Sequence, residues 1–206
     1  KTVSEYAVSS YTGLANYGDN VWQYQINGIV QETYTGLVEY YGTWYYIENG
    51  TLNWNYTGLT KYYDTWYYVE QGRLNWGYTG LTEYYGTWYY VEHGILNWGY
   101  TGLLQHVDGQ WYYAENGIIN WNYTGLAQTA DGSWYAVKNG VFNNSYNGLF
   151  LHYGTWYYLQ NGTVASDFTG LVQHGMLWVE LLTCLHTTIR LKQMLQLQLL
   201  LMQRRL

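Results

Sequence analysis

The chain has no proline, one cysteine, three phenylalanines and only 11% charged residues in a length of 206. An ordinary globular domain carries about 25% charged residues. The shortage is not that of a disordered chain, because Glu, Lys and Pro are the scarce types here. The lone Cys184 excludes an intrachain disulfide framework and a cysteine metal site. There is no apolar run of about 18 residues to span a membrane. No signal peptide stands at Lys1, and the chain reads as a piece of something longer. Basic residues are also few. Residues 1–180 hold all 14 acids against Lys1, Lys61, Arg73 and Lys138, a formal −10. Residues 181–206 hold Arg190, Lys192, Arg204 and Arg205 with no acid, a formal +4. An acidic body excludes a nucleic-acid backbone as partner and is compatible with neutral glycans or cations. No nucleophile–base set, phosphate loop or zinc spacing is present. The sequence therefore predicts no enzyme, no metal and no cofactor.

What the chain does contain is 28 Tyr, 12 Trp and 24 Gly, and they recur at a fixed period. T-G-L preceded by Tyr or Phe starts at Tyr11, Tyr34, Tyr56, Tyr78, Tyr100, Tyr123 and Phe168, with the variant Y-N-G-L at Tyr146. The intervals are 22 or 23 residues, giving seven full repeats and the start of an eighth. From the Trp of W-Y-Y to the next Gly is always six residues, as in Trp44–Gly50 and Trp111–Gly117. From that Gly to the next Tyr or Phe is again six. Only the stretch between T-G-L and Trp varies, and there the longer repeats read "HVDGQ" and "TADGS". Length variation concentrates in turns, and D-G is a hairpin-turn signal.

Each repeat is therefore predicted to be one β-hairpin turning at Tyr41-Gly42 or its equivalent. The stretch "TLNWNY" leads to the next hairpin and offers a short third strand. Strand alternation puts Trp44, Tyr46 and Glu48 on one face and Tyr45 and Ile47 on the other. The position of Ile47 is mostly apolar along the chain and reads as interior. The position of Glu48 is mostly polar and reads as exposed. Ordering 22 residues costs roughly 33 kcal/mol, which burial of about 1300 Å² balances. A lone hairpin cannot bury that much, so the repeats must stack. The fold class predicted is all-β, a β-solenoid of stacked β-hairpins with 22–23-residue repeats.

Boundaries follow. Residues 1–10 are a partial N-terminal repeat or cap, 11–178 the solenoid, and 179–206 a non-repeat tail. In the eighth repeat Trp178 is in register, but Cys184 stands where Gly belongs, and the tail lacks Tyr, Trp and Gly. Two readings are open: a frame-shifted segment, or a native segment such as a helix capping the open end or pairing with another chain. His106, His152 and His174 fall where other repeats have Tyr40, Tyr62 and Tyr84, and read as structural substitutes.

"TGLTKYYDTWYYVEQG" and "TGLTEYYGTWYYVEHG" resemble the cell-wall-binding repeats of bacterial surface proteins. That superfamily includes choline-binding, glucan-binding and clostridial-toxin repeats. The T-G-L variety with a Trp-bearing linker looks most like surface proteins of gut clostridia. The resemblance covers residues 11–178. It implies a non-catalytic, extracellular module that anchors or targets a protein to a cell-wall polymer or glycan through aromatic sites between repeats. Choline-binding members build cages from the T-G-W Trp and the W-Y-Y aromatics. Here Leu14, Leu37, Leu59, Leu81, Leu103, Leu126, Leu149 and Leu171 replace that Trp, so one wall is missing. Linker tryptophans are the candidate substitutes, meeting W-Y-Y of the next repeat. The candidate ligand-binding residues are Trp44, Tyr46, Trp54, Trp66, Tyr68, Trp76, Trp88, Tyr90, Trp98, Trp111, Tyr113 and Trp121. The implied partner is a cell-wall polymer or glycan, or a choline-like cation. Two rival readings are an adhesion array binding a host protein and a structural spacer.

Overall fold

The computed structural model describes residues 10–174 and 177–181. Among these there are 23 strands and no helix, and the architecture is a β-solenoid of stacked hairpins. Of the described residues, those up to Tyr100 together with Glu115–Ile119 form one compact unit. Thr101–Ala114 together with those from Asn120 onward form a second.

In the second hairpin Gly36–Tyr40 pairs antiparallel with Thr43–Glu48, and Tyr40 faces Thr43. The loop between them is Tyr41-Gly42, with φ of 48° and 80°. Two successive positive φ values define the turn whose twist matches that of paired strands. The third hairpin (Gly58–Tyr62 with Thr65–Glu70) and the fourth (Gly80–Tyr84 with Thr87–Glu92) repeat this register. The fifth and sixth hairpins have longer loops containing Asp108-Gly109 and Asp131-Gly132. The length variation seen in the sequence thus falls in the loops. In the eighth hairpin Gly170–His174 pairs with Leu177–Leu181. Residues 1–9 of the partial repeat predicted over 1–10, and residues 182–206 of the tail predicted over 179–206 with its helix or frame-shift readings, lie outside the described residues.

The linker supplies the short third strand. Thr51–Leu52 pairs with Ile47 and Glu48 of its own hairpin, and Thr51 also faces Gln23 of the hairpin before it. Arg73 faces Tyr45 and Ile95 faces Tyr67 in the same way. In the second unit Val141 faces Tyr112. These repeats therefore hydrogen-bond to their predecessors, as stacking requires.

The interior position is confirmed: Ile47, Val69, Val91 and Ala114 are all 0% exposed. Glu48, Glu70 and Glu92 are exposed. Leu14, Leu37, Leu59, Leu81, Leu103, Leu126 and Leu149 are core, with Leu37 and Leu59 among the most buried side chains. One expectation is corrected. Tyr46, Tyr68, Tyr90 and Tyr113 do not share an exposed face with the glutamates; they are 7–9% exposed. Tyr46 stacks on the linker tyrosine Tyr56, with ring centroids 3.8 Å apart, and packs with Val69 and Leu74 of the following repeat. Tyr68 stacks likewise on Tyr78, and Tyr113 on Tyr123. Alternation describes an isolated hairpin, whereas in the stack the next repeat covers the second face.

Candidate functional site

With Tyr46 and its copies in the core, the remaining aromatic surface divides into two groups. The first lies at the hairpin turns. Trp44 meets Tyr62 of the next hairpin edge-on, with centroids 4.9 Å apart, and Tyr62 meets Tyr63 at 4.6 Å. Trp66, Tyr84 and Tyr85 repeat the arrangement at 5.3 and 4.4 Å. Trp22, Tyr40 and Tyr41 do so at 5.5 and 4.5 Å. The Trp and the inner Tyr are half-buried, but the outer ring stands in solvent: Tyr63 is 83% exposed and Tyr85 89%.

The outer tyrosines are chemically odd at their positions. Tyr41, Tyr63 and Tyr85 have φ of 48–50°, a region that Asn, Asp and Gly enter far more readily than a bulky residue. Sequence reasoning identified the turn but missed these rings as site residues. The signal was present as the doubled Tyr of "YYG" and "YYD" at a two-residue loop. The longer fifth and sixth turns carry His106-Val107 and Thr129-Ala130 there instead.

In the second unit the seventh hairpin, Gly148–His152 with Thr155–Gln160, keeps the arrangement with one change. His152 takes the inner position, 6.2 Å from Trp134 and 4.3 Å from Tyr153. The Leu126 N–H donates to its Nδ1 at 3.4 Å. Burial holds the imidazole pKa below its ordinary value. Trp111 lies against Tyr135, 6.5 Å away; Trp88 is half-buried.

The second group is the linker tryptophans. Trp76, Trp98 and Trp121 are 45–49% exposed, and Trp54 is half-buried. The expectation that they meet the next W-Y-Y is corrected. Each packs edge-on against the middle tyrosine of the hairpin before it: Trp54 on Tyr45 at 5.9 Å, Trp76 on Tyr67 at 5.8 Å, Trp98 on Tyr89 at 6.0 Å and Trp121 on Tyr112 at 5.7 Å. The reason is the residue before the Trp. Asn75 Nδ2 donates to Glu70 Oε2 at 2.8 Å, while its Oδ1 accepts from the Gly77 N–H at 2.9 Å. Asn53 with Glu48 and Asn97 with Glu92 repeat the clamp. This side-chain turn folds the linker back on its own hairpin. Arg73 sets its guanidinium 5.2 Å from the Trp54 ring and 5.8 Å from that of Tyr45, within cation–π range.

Among the described residues no cluster of His, Cys, Asp and Glu could hold a metal, and no helix is long and apolar enough to cross a membrane.

The choline-binding repeat family matches seven segments: 10–31, 33–53, 55–75, 77–97, 99–120, 122–143 and 145–165. Among solved structures, choline binding protein F from Streptococcus pneumoniae with a peptidoglycan analogue is similar at 25% identity and a TM-score of 0.32. That match covers 84% of this chain and 58% of the other. CbpF in complex with ipratropium is similar at 26% identity and a TM-score of 0.32, covering 82% and 59%. Alternansucrase in complex with isomaltononaose is similar at 19% identity and 0.33, covering 79% and 13%. The chain thus spans less than two thirds of the length of each. No curated protein matches it. Seven matched segments in register with seven hairpins place this chain in the choline-binding repeat family.

Proposed function

We propose that this chain is a non-catalytic, extracellular module that holds a bacterial surface protein to a cell-wall polymer by capturing choline-like headgroups in its turn-borne ring boxes. The observation that carries this reading is the exposed tyrosine at positive φ. Tyr63 and Tyr85 gain nothing from burial at 83 and 89% exposure, yet each closes a box begun by a half-buried Trp and Tyr of two successive hairpins. A bulky side chain kept in a costly backbone region points to use rather than packing. Aromatic faces within about 6 Å of a quaternary ammonium attract it and need no counter-ion. The acidic body favours a cation as well.

On this reading Leu37 and Leu59 do not leave the boxes short of a wall. The family's tryptophan is exchanged for core leucine, and the turn tyrosine supplies the third ring. Repetition also matters, because several weak boxes on one chain bind a polymer more tightly than any box binds a free headgroup.

The test is a titration of the full chain with choline chloride, followed by tryptophan fluorescence, with sodium chloride as the ionic control. Saturable quenching by choline alone, reduced in the Trp66→Ala variant, is expected. Identical responses to the two salts would remove the basis for the reading.

A further inference from the structure

Asn-Gly is a dipeptide prone to spontaneous deamidation, because glycine leaves its own nitrogen unhindered. The chain carries six of them, and five stand at one place in the repeat: Asn27, Asn49, Asn116, Asn139 and Asn161, each followed by the glycine that turns a hairpin into its short third strand. The sixth, Asn147-Gly148, leads into a strand instead. The five share a conformation, with φ of 50–52° at the asparagine and 72–77° at the glycine, the turn that Asn-Gly favours. We infer that these five turns are modification sites gated by the stack. They are closed while a hairpin is seated and open to an irreversible backbone change once it parts from its neighbours.

The chemistry needs no oxidant and no cofactor. Base takes the proton from the glycine N–H, and the nitrogen attacks the carbonyl carbon of the asparagine side chain. The bond from that carbon to the amide nitrogen breaks, and ammonia leaves with a proton. The product is a five-membered succinimide. Water opens it at either carbonyl, giving aspartate or isoaspartate. The net change is hydrolysis of one amide.

The stack leaves the electrophile open and withholds the nucleophile. All five asparagines are exposed, whereas Gly50, Gly117, Gly140 and Gly162 are buried. The Gly50 N–H donates to Tyr34 O at 2.9 Å, and Gly50 O accepts from the Tyr24 N–H of the hairpin before at 2.9 Å. Gly117, Gly140 and Gly162 donate to Tyr100, Tyr123 and Tyr146 at 2.8–2.9 Å, and accept from Tyr90, Tyr113 and Ala136 at 2.7–2.8 Å. A buried N–H already donated to a carbonyl keeps its proton. A residue pinned through both its N–H and its C=O does not swing towards the side chain. Reaction therefore waits for local opening.

The change is one-way because the turn has no room for its product. Isoaspartate routes the backbone through the side chain and lengthens it by one carbon. A Cβ alone at Gly50 would stand 2.6 Å from Gln31 O, and one at Gly140 2.7 Å from Asn120 O. A lengthened turn does not seat again. The third and fourth hairpins carry Gln71 and His93 at the same position, with φ of 48° and 50°. Histidine has no amide to lose, and glutamine closes only a less favoured six-membered ring. The hairpins that bear Tyr63 and Tyr85 are thereby exempt.

Peptide mapping by mass spectrometry reads conversion at each asparagine in the full chain, incubated at mildly alkaline pH either folded in buffer or unfolded in urea. All five should convert in urea, and at least about tenfold more slowly in the folded chain. Thr35→Val removes the hydroxyl that accepts the Asn49 N–H at 3.1 Å, so conversion in the folded chain should rise about fivefold at Asn49 and not at Asn161. Thr124→Val, which removes the acceptor of the Asn139 N–H, should act in the same way at Asn139 alone. Near-UV circular dichroism checks that both variants keep the fold. A chain deamidated in urea should regain less of that signal on dilution than one held in urea at mildly acidic pH, where the amides survive. Equal rates in the folded and unfolded chain, a rise shared by all five sites in a folded variant, rates indifferent to both substitutions, or full recovery by the deamidated chain would each overturn the proposal.

Discussion

Replacing Gly94 by Ala should damage the stack far more than the same change at Gly86. Both glycines have nearly the same backbone, with φ of 73° and 78°. The left-handed penalty for Ala, about 1 kcal/mol, is therefore common to both and cancels in the comparison. Their surroundings differ. A Cβ at Gly86 would meet nothing within 4 Å, whereas one at Gly94 would stand 2.5 Å from Asn75 O and 3.0 Å from Trp76 Cα. Those are backbone atoms of the previous linker, and they cannot swing away as a side chain can. Relief requires the two repeats to part. Parting them strains the hydrogen bonds Gly94 N–H to Tyr78 O, 2.9 Å, and Tyr68 N–H to Gly94 O, 2.8 Å. At about 1 kcal/mol for each bond, the excess cost at Gly94 is about 2 kcal/mol. In a chain of this size that lowers the thermal midpoint by a further ~4–8 °C. Circular dichroism melts of both variants beside the parent chain measure it. Equal losses at Gly94 and Gly86 would refute the claim that the N-G glycines exist to let a hairpin seat against the linker before it.

Three further outcomes follow from named side chains. Tyr85→Asn puts a residue at ease with positive φ in the fourth turn, so it should raise stability by about 0.5–1 kcal/mol in urea unfolding while weakening choline binding; a neutral effect on binding would count against the boxes. Burial, followed by the neighbouring Tyr68 and Glu70 charges, pushes the Tyr78 phenol up to about 12. Its stabilising effect is then complete below pH 10 and falls between 10 and about 12, as the unfolded chain ionises first. Tyr78→Phe should cost about 1 kcal/mol at neutral pH through the lost bond to Leu81 O and flatten the alkaline decline. Burial lowers the His152 pKa, so the unfolded chain takes up the proton first and stability falls as pH drops below about 6.5. His152→Tyr should remove that acid sensitivity in melts at pH 5 and 7, and should bring the seventh-hairpin box to the composition of the others.

The periodic features were legible in the sequence because stacking leaves no slack in them. The constant six-residue spacings on either side of Gly50, Gly72 and Gly94 are the spacings of a strand that must meet a linker, and variation is confined to the free turn. The interior character of Ile47 and its copies followed from apolar content alone. The face of Tyr46 did not, because it is decided by the following repeat: Tyr56, Val69 and Leu74 cover a surface that alternation within one strand leaves open. The direction of Trp54 was likewise hidden. It depends on a hydrogen bond between Asn53 and Glu48, five residues apart, which turns the linker backward. Tyr63 was readable as a turn residue, and its place beside Trp44 and Tyr62, which come from successive hairpins, was not.

The most direct measurement of the central claim is a crystal structure of the full chain soaked in choline. The account predicts trimethylammonium density enclosed by Trp44, Tyr62 and Tyr63 and again by Trp66, Tyr84 and Tyr85. Ordered choline elsewhere on the chain with these two boxes empty would contradict it.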